Sequence, residues 1–89
     1  MTFAEGDKIW YFGTSLAHGL YTYKELCTGW EEIGYTRHKI SRPERFKIPR
    51  VDINKKRAGY SYGVRFLVFE VWGEEIRKPT TAELILYGK

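Results

Sequence analysis

Glycine is the residue that most constrains what this chain can fold into. Nine glycines stand at 6, 13, 19, 29, 34, 59, 63, 73 and 88. No window of about 15 residues free of glycine and proline carries apolar side chains at the i, i+3, i+4, i+7 spacing of a helix that packs on a core. Long amphipathic helices are thereby excluded. Between the glycines lie short runs of β-branched and aromatic residues bounded by Gly, Pro, Asn, Asp and Ser, which is the pattern of a small β-protein. A length of 89 residues with 43% hydrophobic and 17% aromatic side chains allows one domain, residues 1–89, built on one thin core.

The runs place the strands. Lys8 to Phe12 carries Trp10, Tyr11 and Phe12 in succession, so both of its faces need cover or use. Leu20 to Cys27 sets Tyr21 and Tyr23 on one face and Leu20, Thr22 and Leu26 on the other, and a third strand is predicted from about Ile33 to Ile40. Pro43 and Pro49 remove backbone donors, so Arg42 to Ile53 is expected to be at most an edge strand or an ordered loop, ending in an exposed turn at Asn54-Lys55-Lys56-Arg57. In Tyr60 to Trp72, Tyr60, Tyr62, Val64, Phe66 and Val68 alternate with Ser61, Gly63, Arg65, Leu67 and Phe69. This run is apolar on both faces from Phe66 onward, which predicts the central strand, with Gly63 marking a bulge or bend. Gly73-Glu74 reads as a hairpin turn into Glu75 to Lys78. Thr80-Thr81-Ala82-Glu83 matches a capping box, and Ala82 to Tyr87 fits a short terminal helix or a closing strand. The expected fold is all-β or β-rich: a small twisted antiparallel sheet or SH3-like barrel of five or six strands, with a short C-terminal helix as the alternative to a last strand.

Charge is the second informative feature. Residues 37 to 57 hold nine cations, Arg37, Lys39, Arg42, Arg45, Lys47, Arg50, Lys55, Lys56 and Arg57, against Glu44 and Asp52, a net of +7; six cations against nine acids give −3 elsewhere. Tyr60 and Tyr62 follow at once on one strand face. A cationic segment attracts phosphate, and exposed rings stack on unpaired bases, so these eleven residues form the candidate nucleic-acid-binding set. Two bland accounts compete with it. Charges on an edge strand keep it soluble, and small barrels fill their cores with tyrosines whose hydroxyls reach the rim. Arg, Tyr and Trp are also the types enriched at protein interfaces, so a partner with an acidic surface is the alternative.

Support for catalysis is thin. His18 and His38 are the only histidines, a general acid and base for RNA cleavage only if the fold brings them together. Cys27, the one cysteine, sits in an apolar-flanked strand and reads as buried and inert; it has no partner for an internal disulfide. Glu31-Glu32 and Glu74-Glu75 are neighbours that a strand would point to opposite faces. No G-x-G-x-x-G, G-x-x-x-x-G-K-[ST], Cys-x-x-Cys or His-x-x-x-His occurs, so neither a cofactor nor a metal site is expected. Apolar runs such as Phe66 to Phe69 reach four residues, far short of a membrane span or a signal peptide. The expectation is a cytoplasmic protein that stays off membranes and is not an enzyme.

The opening Phe3-Ala4-Glu5-Gly6-Asp7-Lys8-Ile9-Trp10-Tyr11-Phe12 resembles the first strand of SH3-like barrels, in which Gly-Asp precedes an alternating apolar strand. It is also similar to the opening of barrel-type toxin endoribonucleases, and Ser41-Arg42-Pro43 is similar to the Arg-Pro such toxins carry before their next core strand. Here the apolar strand expected after that proline is replaced by Glu44-Arg45-Phe46-Lys47, and no catalytic residue carries over.

The function expected from the sequence is non-catalytic binding of RNA or single-stranded nucleic acid. A protein-binding modulator, an inhibitor or accessory subunit of a larger enzyme, is the alternative, and a small endoribonuclease is the third reading. Fifteen aromatics are many for so thin a core, which makes a homodimer a further way to cover them.

Overall fold

The computed structural model describes residues 2–88. The elements are β1 (Lys8–Tyr11), β2 (Gly19–Cys27), a 3-10 turn at Glu31–Ile33, β3 (Arg37–Asp52), β4 (Arg57–Trp72), a second 3-10 turn at Gly73–Glu75, β5 (Ile76–Arg77) and the helix α1 (Thr81–Tyr87). The five strands make one antiparallel sheet in the order β4-β3-β2-β1-β5. This is the small β-rich fold with a short C-terminal helix expected from the sequence. Only Gly73–Glu75 separates β4 from β5, yet these strands lie at opposite ends of the order. The sheet must therefore curl to bring its two edges near each other at that end, and no β4–β5 ladder closes it among the described residues.

The concave face holds the core. Ile9 and Tyr11 from β1, Tyr21 and Tyr23 from β2, Ile40 from β3, Val71 from β4 and Ile76 from β5 are buried, with Phe3, Leu16 and Phe69 packed against them. Cross-strand neighbours Ile9 and Tyr21, Tyr23 and Ile40, and Tyr11 and Ile76 are directly opposed, so their side chains meet on one face. Each core tyrosine keeps its hydroxyl satisfied at the rim. Tyr21 donates to the Ala17 carbonyl at 2.7 Å, Tyr23 bonds His38 Nδ1 at 2.9 Å, and the Tyr11 hydroxyl receives the Ser15 amide at 2.9 Å. Burial pushes the Tyr21 phenol above its usual range, against the opposing influence of Arg42, and raises Tyr23 likewise.

Several expectations change at the edges of these elements. Glu31–Ile33 forms a 3-10 turn ended by Gly34 at φ 84°, so the third strand starts at Arg37 rather than at about Ile33. From there it runs unbroken to Asp52, with Pro43 opposite Phe66 and Pro49 opposite Tyr60. β2 has its last partner at Ser41, so beyond that residue β3 is an edge strand on its other side. The two prolines are six residues apart and turn their nitrogens to the same edge, and only the edge away from β4 tolerates both.

β4 is not central; it is the outermost strand of the sheet. Its apolar side chains divide between a core face, with Phe69 and Val71, and an outer face, with Phe66 and Val68. Gly63 causes no slip in the ladder. It leaves room for the Phe46 ring, which a Cβ at this position would meet at 2.6 Å. The segment after Trp72 is a 3-10 turn whose following strand pairs with β1, not with β4. The helix alternative holds at the C terminus: the Thr80 hydroxyl accepts from the Glu83 amide at 3.2 Å and the Glu83 carboxylate accepts from the Thr80 amide at 2.8 Å, completing the capping box. Arg77 and this cap hold the Glu83 carboxyl down at about 2. No helix among the described residues is long and apolar enough to cross a membrane.

The consequence for function is the length of the β3–β4 hairpin. Eleven residues of β3 lie beyond Ser41, about 35 Å of strand, and the molecule measures 61 × 33 × 23 Å with a radius of gyration of 17.8 Å. A compact chain of this length would have about 12 Å. The distal hairpin is a two-stranded ribbon standing out from the core.

Candidate functional site

Strand alternation and the β3–β4 register sort the ribbon's side chains onto two faces. Glu44, Phe46, Ile48 and Arg50 oppose Arg65, Gly63, Ser61 and Gly59 on the face continuous with the core. This face is internally satisfied. Arg65 Nε donates to Glu44 Oε2 at 2.7 Å, its guanidinium lies over the Phe46 ring at 5.6 Å, and Arg50 Nε donates to the Ser61 hydroxyl at 2.9 Å. The other face carries Pro43, Arg45, Lys47, Pro49 and Val51 opposite Phe66, Val64, Tyr62, Tyr60 and Ala58. Tyr60, Tyr62, Val64 and Phe66 are 63%, 61%, 58% and 70% exposed. Here the cations flank the rings, Lys47 Nζ at 5.4 Å from the Tyr60 centroid and Arg45 at 5.9 Å from that of Tyr62.

Of the eleven residues singled out by the sequence, four meet on this outer face: Arg45, Lys47, Tyr60 and Tyr62. Lys55 and Lys56 occupy the turn at the ribbon's tip, where Asp52 Oδ1 accepts from the Asn54 and Lys55 amides at 3.1 and 3.2 Å and Lys56 adopts a left-handed φ of 52°. Arg57 starts β4 beside them, opposite Asp52. Arg42 and Arg50 lie on the opposite face, Arg42 over the rings of Tyr21 and Phe69. Two cations are committed at the base of the hairpin. Arg37 pairs with Glu70 at 3.5 Å and stacks 4.3 Å from the Trp72 centroid, with Trp30 at 5.7 Å, and Lys39 pairs with Glu25 at 3.3 Å. The structure thus divides one basic sequence segment into an exposed group toward the tip and a structural group at the base.

Sequence reasoning missed that Val64, Phe66 and Val68 extend the tyrosine stripe into solvent. The signal was present in the alternation of residues 60 to 68, but alternation says which residues share a face, not whether that face is covered.

The catalytic candidates are engaged by different partners. His18 Nε2 bonds the Gly13 carbonyl at 2.8 Å, and His38 sits in the core with Tyr23, its imidazole held below its ordinary range by burial. Cys27 is half-buried with its thiol 3.9 Å from Glu70, and burial, then the Glu70 charge, raises its pKa, the opposite of what a nucleophile needs. Glu75 is committed to the Trp72 amide at 3.0 Å and Glu31 to the Gly29 amide at 2.9 Å. No group of three His, Cys, Asp or Glu side chains converges among the described residues. Comparison with known proteins finds no matching family model, no matching curated protein and no matching solved structure.

Proposed function

We propose that this protein is a non-catalytic binding domain that takes RNA or single-stranded nucleic acid along the outer face of the β3–β4 ribbon. The observation that carries the reading is the side-by-side placement of Arg45 and Lys47 with Tyr60 and Tyr62, rings that contribute nothing to the core and are more than half exposed. An unpaired strand offers phosphates and bare base faces at short intervals, and a face interleaving cations with flat rings matches both. Lys55, Lys56 and Arg57 at the tip extend the positive field along the same direction. Duplexes keep their bases stacked and would use the cations alone.

Fluorescence anisotropy of labelled single-stranded RNA, single-stranded DNA and duplex DNA with nuclease-treated protein at two salt concentrations tests this. Binding that weakens steeply with salt and favours the single strands is expected. Equal binding of the duplex would reduce the ribbon to a phosphate contact, and no binding at low salt would remove the reading. In that last case the exposed Val64, Phe66 and Val68 favour a protein partner, detected as a discrete complex that survives nuclease treatment and moderate salt.

A further inference from the structure

The outer edge of β4 is the least protected feature of the molecule. Sixteen residues, Arg57–Trp72, run along one side of the sheet with no strand beyond them, so alternate backbone donors and acceptors face solvent along most of it; at the base the Glu70 carbonyl accepts from Arg37 at 3.2 Å and the Trp72 amide donates to Glu75 at 3.0 Å. Free edges of this kind template pairing with another chain unless they carry proline, charged side chains, a bulge or a covering element; the charge near the middle of β4, Arg65, is turned to Glu44 on the core-side face. The ribbon's other edge is so defended, by Pro43 and Pro49 in β3. β4 has no proline, and its ladder to β3 shows no register shift. One edge of the ribbon is blocked and the other is left ready to pair.

The surface area agrees. The accessible surface is 6985 Å², whereas a folded monomer of this mass exposes about 5,400 Å². The excess is larger than the ~800 Å² per partner of a standard protein interface. An isolated two-stranded hairpin is marginally stable in water, and additional strands are what make such a ribbon persist.

We infer that the occupant of this edge is a second copy of the chain, joined β4 to β4 in antiparallel fashion about a two-fold axis at Val64. Side chains that oppose each other across such an axis must share a face, so the axis passes through a residue. Centring it on Arg65 would set like charges against each other, which is destabilising, and centring it on Gly63 would put bare glycine at the contact. With Val64 on the axis, Val64 meets Val64, Tyr62 of each copy meets Phe66 of the other, and Tyr60 meets Val68. The aromatic pairs are the kind that stabilise a sheet, and the strand overlaps over nearly its full length.

Charge complementarity selects the same orientation. Antiparallel pairing carries the basic tip of each ribbon, Lys55, Lys56 and Arg57, to the base of the second copy's β4, where Glu74 is exposed beside the Arg37–Glu70 pair. A parallel arrangement would set tip against tip. The pairing unites the two ribbons into one four-stranded sheet whose outer face remains open, and it does not rest on the nucleic-acid reading.

Sedimentation of nuclease-treated protein tests the proposal, with an expected mass twice the 10.5 kDa of the chain. Val64→Lys sets two ammonium groups against each other at the axis and is expected to return the mass to that of one chain, with the β signature in circular dichroism retained. Should that variant fail to fold, Val64→Cys in a Cys27→Ser background decides the matter. A short bismaleimide is expected to link two chains at position 64 and not at Val51→Cys in the same background. A single-chain mass at every concentration up to the solubility limit would overturn the inference, as would a dimer that Val64→Lys leaves intact or that is not linked through position 64.

Discussion

Phosphate contact and base stacking make separable contributions to single-strand binding, and the ribbon's outer face allows each to be removed alone. Arg45, Lys47, Lys55 and Lys56 form no ion pair among the described residues, and they lie on the outer face or at the tip. If each neutralises one phosphate of a single strand, log affinity falls against log salt with a slope of about −2.8, a loss of roughly fiftyfold between about 50 and 200 mM. Replacing Arg45 and Lys47 together by Ser halves the slope to about −1.4 and reduces the loss over the same range to roughly sevenfold. Tyr60→Ala with Tyr62→Ala leaves the charge count unchanged and so the slope near its parent value. Each ring contributes about 1–3 kcal/mol of stacking, so affinity drops at every salt concentration, by thirtyfold or more on the order-of-magnitude scale of these terms. Anisotropy titrations of a labelled single-stranded RNA across a salt series read both quantities, with circular dichroism as the check on folding. The reasoning is refuted if the tyrosine pair binds as tightly as the parent, or if loss of the two cations lowers affinity without changing the slope.

Three further outcomes test the fold beneath the site. His38 is held below its ordinary 6.5 by burial, so the unfolded chain takes up a proton before the folded one and native stability, complete above that value, is lost as pH falls below it. Thermal midpoints measured from about pH 7.5 down to 5.5 should decline less for His38→Gln than for the parent, and parallel curves would show that His38 is not the titrating group. Ile40 is fully buried at 0% exposure, and Ile40→Ala should cost about 2–5 kcal/mol, lowering the melting midpoint by at least about 8 °C; a change of a degree or two would mean that this face is not the core. Gly63→Ala drives a methyl into the Phe46 ring, 2.6 Å from the ideal Cβ position, at a cost of about 1–3 kcal/mol. Phe46→Ala removes the obstruction, so denaturation of the double variant should show a smaller loss than the two single losses combined, and simple additivity would contradict the contact.

How far the site was legible in the sequence depends on which physical question is asked of each residue. The capping box at Thr80 and Glu83 is a local signal, since both partners lie within one turn, and the structure forms it as written. The turn ahead of β4 and the shared face of Tyr60 and Tyr62 were equally local. Pro43 and Pro49 limit their stretch to an edge strand or an ordered loop, and the structure makes it an edge strand; its length depended on where β2 stops, and no residue of β3 records that. Tyr21 and Tyr60 carry the same side chain in similar alternating runs. Tyr21 became core because its face of β2 is covered by Ile9, Tyr11 and Phe69, and Tyr60 became surface because it points to the outer face of a ribbon that runs beyond the last residue paired with β2.

Local chemistry therefore determined the kind of elements this chain forms, the exposed turn between β3 and β4 and which side chains stand together on a strand face. Periodicity and proline's missing donor act within a few residues, so the sequence states them directly. Tertiary structure alone decided that β4 is outermost, that the hairpin projects beyond the core, and that Arg37 and Lys39 are spent on Glu70, Trp72 and Glu25 while Arg45 and Lys47 remain beside bare rings. Those outcomes depend on which strand finds which partner across the whole chain, and strand pairing joins residues whose separation in sequence carries no mark of their meeting.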